Sequence, residues 1–196
     1  MKNVNFLKRF LFALLLLCPN TIWAYDLEVD GIYYNLTSAT DLTVEVAGRI
    51  ANESTNDLII PSVVNYNSKT LKVTGIGYNA FSNDKDITCV TIPNSVTYIR
   101  SNAFYECRNL KIVLNSSALQ LTRGSEEYGD VGRYAKAVLN NYDGRVGDFL
   151  FVQDNGTYGL GLYLGSDEEL VLPTKYKEGD YSITKDVFTL FNSALL

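Results

Sequence analysis

Apolar positions recur with a fixed spacing in the middle of the chain. The segment VTGIGYNAFSNDKDI, which begins at Val73, returns 23 residues later as VTYIRSNAFYECRNL, beginning at Val96. A period of this length is typical of a solenoid, because each unit buries its apolar face only against its neighbours. Phe81 and Phe104 occupy the same place in the two units, so we expect them to stack in the interior. The other matched pairs are Val73 and Val96, Ile76 and Ile99, Asn79 and Asn102, Ala80 and Ala103, and Ile87 and Leu110.

Alternation inside the repeat predicts short strands. Val90 and Ile92 alternate with Cys89 and Thr91, so the first pair is expected inside and the second outside. Before the repeat, residues 25–57 alternate in the same way around the turn Asp30-Gly31 and predict an N-terminal β cap. The repeats themselves are assigned to residues 58–115, and their first hairpin turns at Asn67-Ser68.

The pattern changes between residues 116 and 169. Asp130 precedes a run with the spacing i, i+3, i+4, i+7 and i+8, which predicts an amphipathic helix with Asp130 as its N-cap. A β-hairpin around Asp154-Asn155-Gly156 follows, so this part is interpreted as an inserted helix plus hairpin. The apolar residues of the run are Val131, Tyr134, Ala135, Val138 and Leu139.

The last segment, residues 170–196, echoes the start of the repeats. Leu170-Val171-Leu172-Pro173 resembles Leu58-Ile59-Ile60-Pro61, which predicts a degenerate and truncated repeat. A solenoid needs a cap over its last apolar face. Either the terminal apolar residues fold back over that face or the chain is a fragment of a longer protein, and the capping argument favours the fragment.

The phrase IPNSVTYIRSNAFYECRNL, from Ile92 to Leu110, resembles the BspA-type leucine-rich repeat. The resemblance implies a mainly β, right-handed leucine-rich-repeat-type solenoid. It also implies a secreted or cell-surface location, with adhesion or protein–protein contact as the function and host matrix proteins as ligands of some members. The repeat residues of this family are structural, so the resemblance assigns no binding residue.

Residues 1–24 have the order of a secretory signal peptide. Lys2, Lys8 and Arg9 precede an apolar run from Phe10 to Cys18, and Ile22-Trp23-Ala24 offers a cleavage site. The run is too short for a stable membrane span. An uncleaved anchor and lipoprotein processing at Cys18 are the alternatives.

Composition excludes several functions. Subtracting the three signal-peptide charges from the net charge of −5 gives −8, so nucleic acid and anionic membranes are not expected partners. The chain has no His, which removes the commonest general base and metal ligand. No cofactor or metal site is expected. Carboxylate runs remain at Glu126-Glu127 and Asp167-Glu168-Glu169, and we interpret them as solvated charge.

Cys89 and Cys107 are the two cysteines outside the signal segment. They occupy different phases of the repeat, so their Cα atoms are expected to lie beyond bridging distance. We expect two free thiols, with Cys107 buried and Cys89 facing outward.

The leading hypothesis is a non-catalytic, secreted or surface-displayed module that binds extracellular proteins or glycans. Thr88, Thr91 and Lys111, which we place on the outward side of the repeat strands, are the candidate contact residues. The alternatives are a structural spacer at the N-terminus of a larger surface protein and a carboxylate-based glycan hydrolase acting through Glu168 or Glu169. Tyrosines are further surface candidates, although β propensity alone accounts for many of them: Tyr33, Tyr34, Tyr128, Tyr142, Tyr158 and Tyr163.

Overall fold

Strands and turns make up the regular structure of this protein. The computed structural model describes residues 25–50, 56–146, 149–154, 157–164, 175–177 and 184–190, and it contains no helix in those ranges. The strands are β1 (Leu27–Val29), β2 (Ile32–Ser38), β3 (Thr43–Arg49), β4 (Asp57–Ile59), β5 (Val63–Tyr66), β6 (Lys69–Ile76), β7 (Cys89–Ile92), β8 (Tyr98–Ile99), β9 (Ile112–Asn115), β10 (Ala137–Asn140), β11 (Tyr142–Val146), β12 (Phe149–Asp154), β13 (Thr157–Tyr163), β14 (Lys175–Lys177) and β15 (Thr184–Leu190).

Four of these strands form a parallel sheet in the order β10-β9-β7-β4. Asp57, Cys89, Ile112 and Ala137 lie side by side in its register. One strand comes from each successive coil, so the prediction of a mainly β solenoid is confirmed. Val90 and Ile92 are fully buried whereas Cys89 and Thr91 are only partly buried, as the alternation predicted.

A second sheet has the order β1-β2-β3-β6-β5, with β8 also paired to β6. Two of its three hairpins, β1-β2 and β5-β6, turn where the sequence predicted. Asp30 and Gly31 have φ of 51° and 76°, and Asn67 and Ser68 have φ of 49° and 61°. Two successive residues with positive φ are the mark of the type I′ turn, whose twist matches that of the flanking strands.

The main core lies between these two sheets. Phe81 and Phe104 are 2% and 0% exposed, and their ring centroids lie 5.1 Å apart. The repeated asparagines Asn79 and Asn102 both adopt positive φ, at 54° and 59°. Asparagine tolerates this region better than other residues with a side chain, so the matched Asn positions shape the turn that delivers each Phe to the core.

The predicted helix at Val131–Leu139 is wrong. Residues 127–134 form turns, and the chain then enters strand β10 at Ala137. Asp130 has a φ of 67° and is not a helix N-cap. Phe104 N donates to Gly129 O at 2.7 Å, just as Phe81 N donates to Ala103 O at 2.8 Å. This segment is therefore a further coil of the solenoid, and the expected break in the period at residue 116 is corrected.

The physical reason for the error is that a tight solenoid turn and a helix share one spacing. Both place apolar residues three and four positions apart on one side of the backbone. Val131 and Ala135 are 1% and 7% exposed, so the burial pattern was predicted but not the backbone conformation. The strand pairing with β9 decides the conformation, because it satisfies the backbone polar groups of Ala137–Asn140.

A third sheet has the order β11-β12-β13-β15-β14, and it contains the predicted hairpin as β12 and β13. Leu150, Val152 and Leu162 of this sheet form a second apolar cluster with Leu114, Ala137 and Leu139 of the parallel sheet. Strand β15 runs parallel to β13, where the sequence predicted a degenerate repeat.

The predicted signal segment, residues 1–24, lies outside the described residues, as do residues 165–174 and 191–196. In the described part of the chain, no helix is long and apolar enough to cross a membrane.

Candidate binding site

The outward face of the parallel sheet is covered at one end and open at the other. Ile59, Thr91, Leu114 and Leu139 lie in one row across the four strands. Leu114 and Leu139 are 6% exposed because the third sheet packs over them. Ile59 is 66% exposed, and Thr91 lies between the covered and the open ends.

A groove of about 520 Å³ opens beside this row. It lies where the strands β7 and β9 end and the third sheet begins, so its walls come from two different sheets. Its lining includes Ser62, Thr91, Asn94 and Ser116 from the solenoid, and Tyr142 and Gln153 from the third sheet.

Hydrogen bonds hold the two walls together. Ser116 Oγ donates to Tyr142 O at 2.7 Å, which ties the end of β9 to the start of β11. Gln153 N donates to Asn141 O at 2.9 Å, which ties β12 to the same turn. The positions of Tyr142 and Gln153 along the groove therefore depend on the main chain of both sheets.

Two stacked asparagines form the end of the strands next to the groove. Asn115 is fully buried and donates to Asn140 Oδ1 at 2.8 Å and to Leu119 O at 2.7 Å. The Asn115 carboxamide oxygen accepts from Ser117 Oγ at 2.6 Å. A buried amide is costly unless its hydrogen bonds are satisfied. This pair satisfies them and fixes the chain where it leaves each coil.

The structure places the three predicted contact residues at two positions along the strands. Thr91 lines the groove. Thr88 and Lys111 lie in a separate column at the start of the strands, where Lys111 N donates to Thr88 O at 2.8 Å. Lys136 continues this column, since its N donates to Lys111 O at 2.7 Å. Sequence reasoning missed Lys136 because its segment was interpreted as a helix.

A separate aromatic and charged cluster lies on the sheet formed by β3, β6 and β8. Arg100 Nε and Tyr98 OH donate to Glu45 Oε2 at 2.8 and 2.9 Å. The Arg100 guanidinium also lies 5.0 Å from the ring centroid of Tyr78 and 4.9 Å from that of Tyr98. The hydrogen bond that Arg100 donates to Glu45 raises the pKa of Arg100, and burial followed by the bond to Glu45 raises the pKa of Tyr98. Gly75 lies beneath the Tyr98 ring, and only a residue without a Cβ leaves space for it.

The candidate tyrosines separate by environment. Tyr34 is a fully buried core residue, and Tyr33 stacks on Tyr25 with ring centroids 4.0 Å apart. Tyr128 packs against the main core. Among the four tyrosines whose side chains the structure describes, Tyr142 alone lines the groove. The side chains of Tyr158 and Tyr163 lie outside the described part.

Both described cysteines are free. Cys107 is 1% exposed and its thiol donates to Phe81 O at 3.0 Å. Burial raises the pKa of the Cys107 thiol to about 12. Cys89 is half-buried against the second apolar cluster, and burial together with the negative charge of Asp57 raises its pKa to about 12. Neither thiol is an activated nucleophile, because the reactive thiolate is disfavoured at both sites.

Within the described ranges, no group of three metal-ligating side chains is present. Glu126 of the first carboxylate run pairs with Arg133 at 3.1 Å. The second run, Asp167-Glu168-Glu169, lies outside the described residues.

A comparison with protein families agrees with the repeated architecture. The family model described as "BspA type Leucine rich repeat region (6 copies)" matches residues 52–125. This segment, which holds three strands of the parallel sheet, is thus a BspA-type leucine-rich repeat region, and the resemblance stated from Ile92 to Leu110 is confirmed. No curated protein matches the chain.

Three solved structures are similar to part of the chain. A leucine-rich repeat protein from Bacteroides ovatus is 31% identical, with a TM-score of 0.49, over 59% of this chain and 29% of that one. A leucine rich cell surface protein from Faecalibacterium prausnitzii is 27% identical, with a TM-score of 0.44, over 58% and 29%. A leucine-rich repeat protein from Bacteroides capillosus is 23% identical, with a TM-score of 0.43, over 60% and 98%. The chain spans 29% of the length of the first two of these proteins.

Proposed function

We propose that this chain is a secreted or cell-surface, non-catalytic module that binds extracellular proteins. The observation that carries the proposal is the open end of the parallel sheet's outward face. A solenoid presents side chains at fixed spacing on such a face, and repeat proteins use these faces for binding. Right-handed coiling is part of the proposal, because crossovers between parallel strands take this hand in about 98% of cases.

The open end combines apolar and acidic groups. Ile59 on β4 and Val63 on β5 are 66% and 47% exposed, and Pro61 and Ser62 join the two strands. Asp57 is exposed on the same face of β4 as Ile59. Protein interfaces combine an apolar centre with a polar rim. We expect a partner that presents an apolar side chain surrounded by basic groups, because this chain is acidic, with a net charge of −5.

The location rests on residues 1–24, whose basic, apolar and cleavage regions follow the order of a secretory signal. BspA-type repeat proteins are also typically found at the cell surface or outside the cell. Expression in a secreting bacterial host, followed by N-terminal sequencing of the exported protein, tests this part. A mature N-terminus at Tyr25 is expected, and retention of residues 1–24 contradicts it.

The binding proposal is tested by surface plasmon resonance against an array of purified extracellular proteins with basic and acidic members. We expect a basic member to bind and Ile59→Asp to weaken its affinity by roughly tenfold or more, as for a central interface residue. Leu36→Asp is the matched control, because Leu36 is 43% exposed on β2, away from this face. The proposal is rejected when no member binds, or when both variants bind as well as the wild type.

A further inference from the structure

The groove between the parallel sheet and the third sheet is lined mainly by polar residues, although it lies next to the second apolar cluster. The residues along its walls carry hydroxyls (Ser62 and Thr91), amides (Asn94 and Gln153) and one half-buried aromatic ring (Tyr142). None of the described residues that line it is Lys or Arg. The lining is therefore polar and mostly uncharged, with one aromatic residue, Tyr142.

Several of these groups are not used by the fold. Within the part of the chain that the structure describes, the side chains of Ser62, Thr91 and Asn94 take part in no hydrogen bond. Ser116 differs, since its hydroxyl holds the main chain at Tyr142. The unused hydroxyls and amide both donate and accept hydrogen bonds. A ligand that fits them must do the same.

The lining distinguishes between classes of ligand. An anionic ligand requires Lys or Arg, and the described residues of the lining include neither. A peptide needs a free strand edge or apolar pockets for its side chains, and hydroxyls and amides provide neither. A neutral sugar presents hydroxyls that donate and accept, together with a ring face of C–H groups that packs on an aromatic side chain. The volume of about 520 Å³ lies within the usual range of small-ligand sites, about 300–1,000 Å³.

We propose that the groove binds a neutral oligosaccharide, with one sugar ring on Tyr142 and its hydroxyls bonded to Thr91, Asn94 and Ser62. This site goes beyond the protein contact proposed at the open end of the sheet, because it uses different side chains. Ile59 and Val63, which carry that contact, are not part of the groove lining.

The test is isothermal titration of the full chain with neutral tetrasaccharides of glucose, galactose, mannose and N-acetylglucosamine, and with sialylated and sulfated counterparts. We expect at least one neutral tetrasaccharide to bind and its charged counterpart to bind more weakly. The double variant Thr91→Val/Asn94→Ala removes two hydrogen-bonding groups and is expected to weaken binding by roughly tenfold or more. Tyr142→Phe keeps the ring and is expected to keep most of the affinity.

Lys69→Ala is the control, because Lys69 is exposed on β6 and is not part of the groove lining. Melting temperatures equal to wild type establish that each variant is folded. The proposal is overturned when no neutral tetrasaccharide binds at millimolar concentration, when only the charged ones bind, or when the double variant keeps full affinity. Ile59→Asp separates the two proposals, since it should weaken protein binding and leave sugar binding unchanged.

Discussion

The stacked pair Phe81 and Phe104 provides the most direct test of the solenoid. Phe104 is 0% exposed and its ring centroid lies 5.1 Å from that of Phe81, in the coil before it. Phe104→Ala removes the ring from a site enclosed on both sides by other coils. The neighbouring coils are held by strand pairing and are unable to close fully over the cavity.

The expected cost follows from burial and cavity formation. Truncation of a buried Phe to Ala typically costs about 3–5 kcal/mol, which includes the cavity that remains. For a chain of this size, each kcal/mol lowers the melting temperature by about 2–4 °C, so we expect a decrease of roughly 6–20 °C. Thermal unfolding followed by circular dichroism measures this shift.

Two matched variants control the experiment. Tyr105→Ala removes an aromatic ring from the next position, where the side chain is 41% exposed. It should lower the melting temperature much less than Phe104→Ala does. Phe104→Leu keeps most of the volume and should cost about 1.5 kcal/mol or less. Stacking of Phe104 in the core is refuted if Phe104→Ala lowers the melting temperature no more than Tyr105→Ala does.

Two further predictions concern the join between the N-terminal strands and the repeats. Burial alone would raise the pKa of the Asp84 carboxyl, but two hydrogen bonds from Arg49, at 2.8 and 3.1 Å, lower it. Asp84→Asn should lower the free energy of unfolding by urea by about 3–5 kcal/mol at pH 7, because it leaves a buried guanidinium unpaired. The pKa of Asp84 is lower in the folded state than in the unfolded state, so its carboxylate stabilises the fold at pH values above the unfolded pKa. The stability difference between variant and wild type should therefore shrink as the pH falls below about 4, and a constant difference would contradict the assignment. Gly75→Ala places a methyl group against the Tyr98 ring and should lower the free energy of unfolding by about 1–3 kcal/mol in the same assay. Gly144→Ala is the control and should be nearly neutral, because no atom lies within 4 Å of the added Cβ. Equal losses of stability in the two variants would contradict close packing of Gly75 against Tyr98.

Much of the fold could be predicted from short-range patterns. The 23-residue period identified the coils and placed Phe81 and Phe104 in the core. Turn residues predicted the hairpins at Asp30-Gly31 and Asn67-Ser68, because few residues adopt positive φ without strain. Each of these features depends on the residues of one strand, one turn or one repeat.

The coil at residues 126–140 could not be predicted in the same way. Its apolar spacing fits a helix as well as a solenoid turn, and strand β10 exists because β9 provides partners for its backbone. Without this coil, Lys136 has no place beside Lys111. The candidate contact residues were therefore chosen from an incomplete stack.

The groove depends still more on long-range packing. Thr91 was identified as outward-facing from the alternation of β7, and this position is part of the groove wall. Its opposite wall comes from Tyr142 and Gln153, which reach it because Leu150, Val152 and Leu162 bury their side chains on the outer face of the parallel sheet. Periodicity determined which side chains of this protein face in and which face out. The packing of one sheet on another determined which outward positions stay open, because burial of apolar area is not directional and leaves no local pattern in the chain.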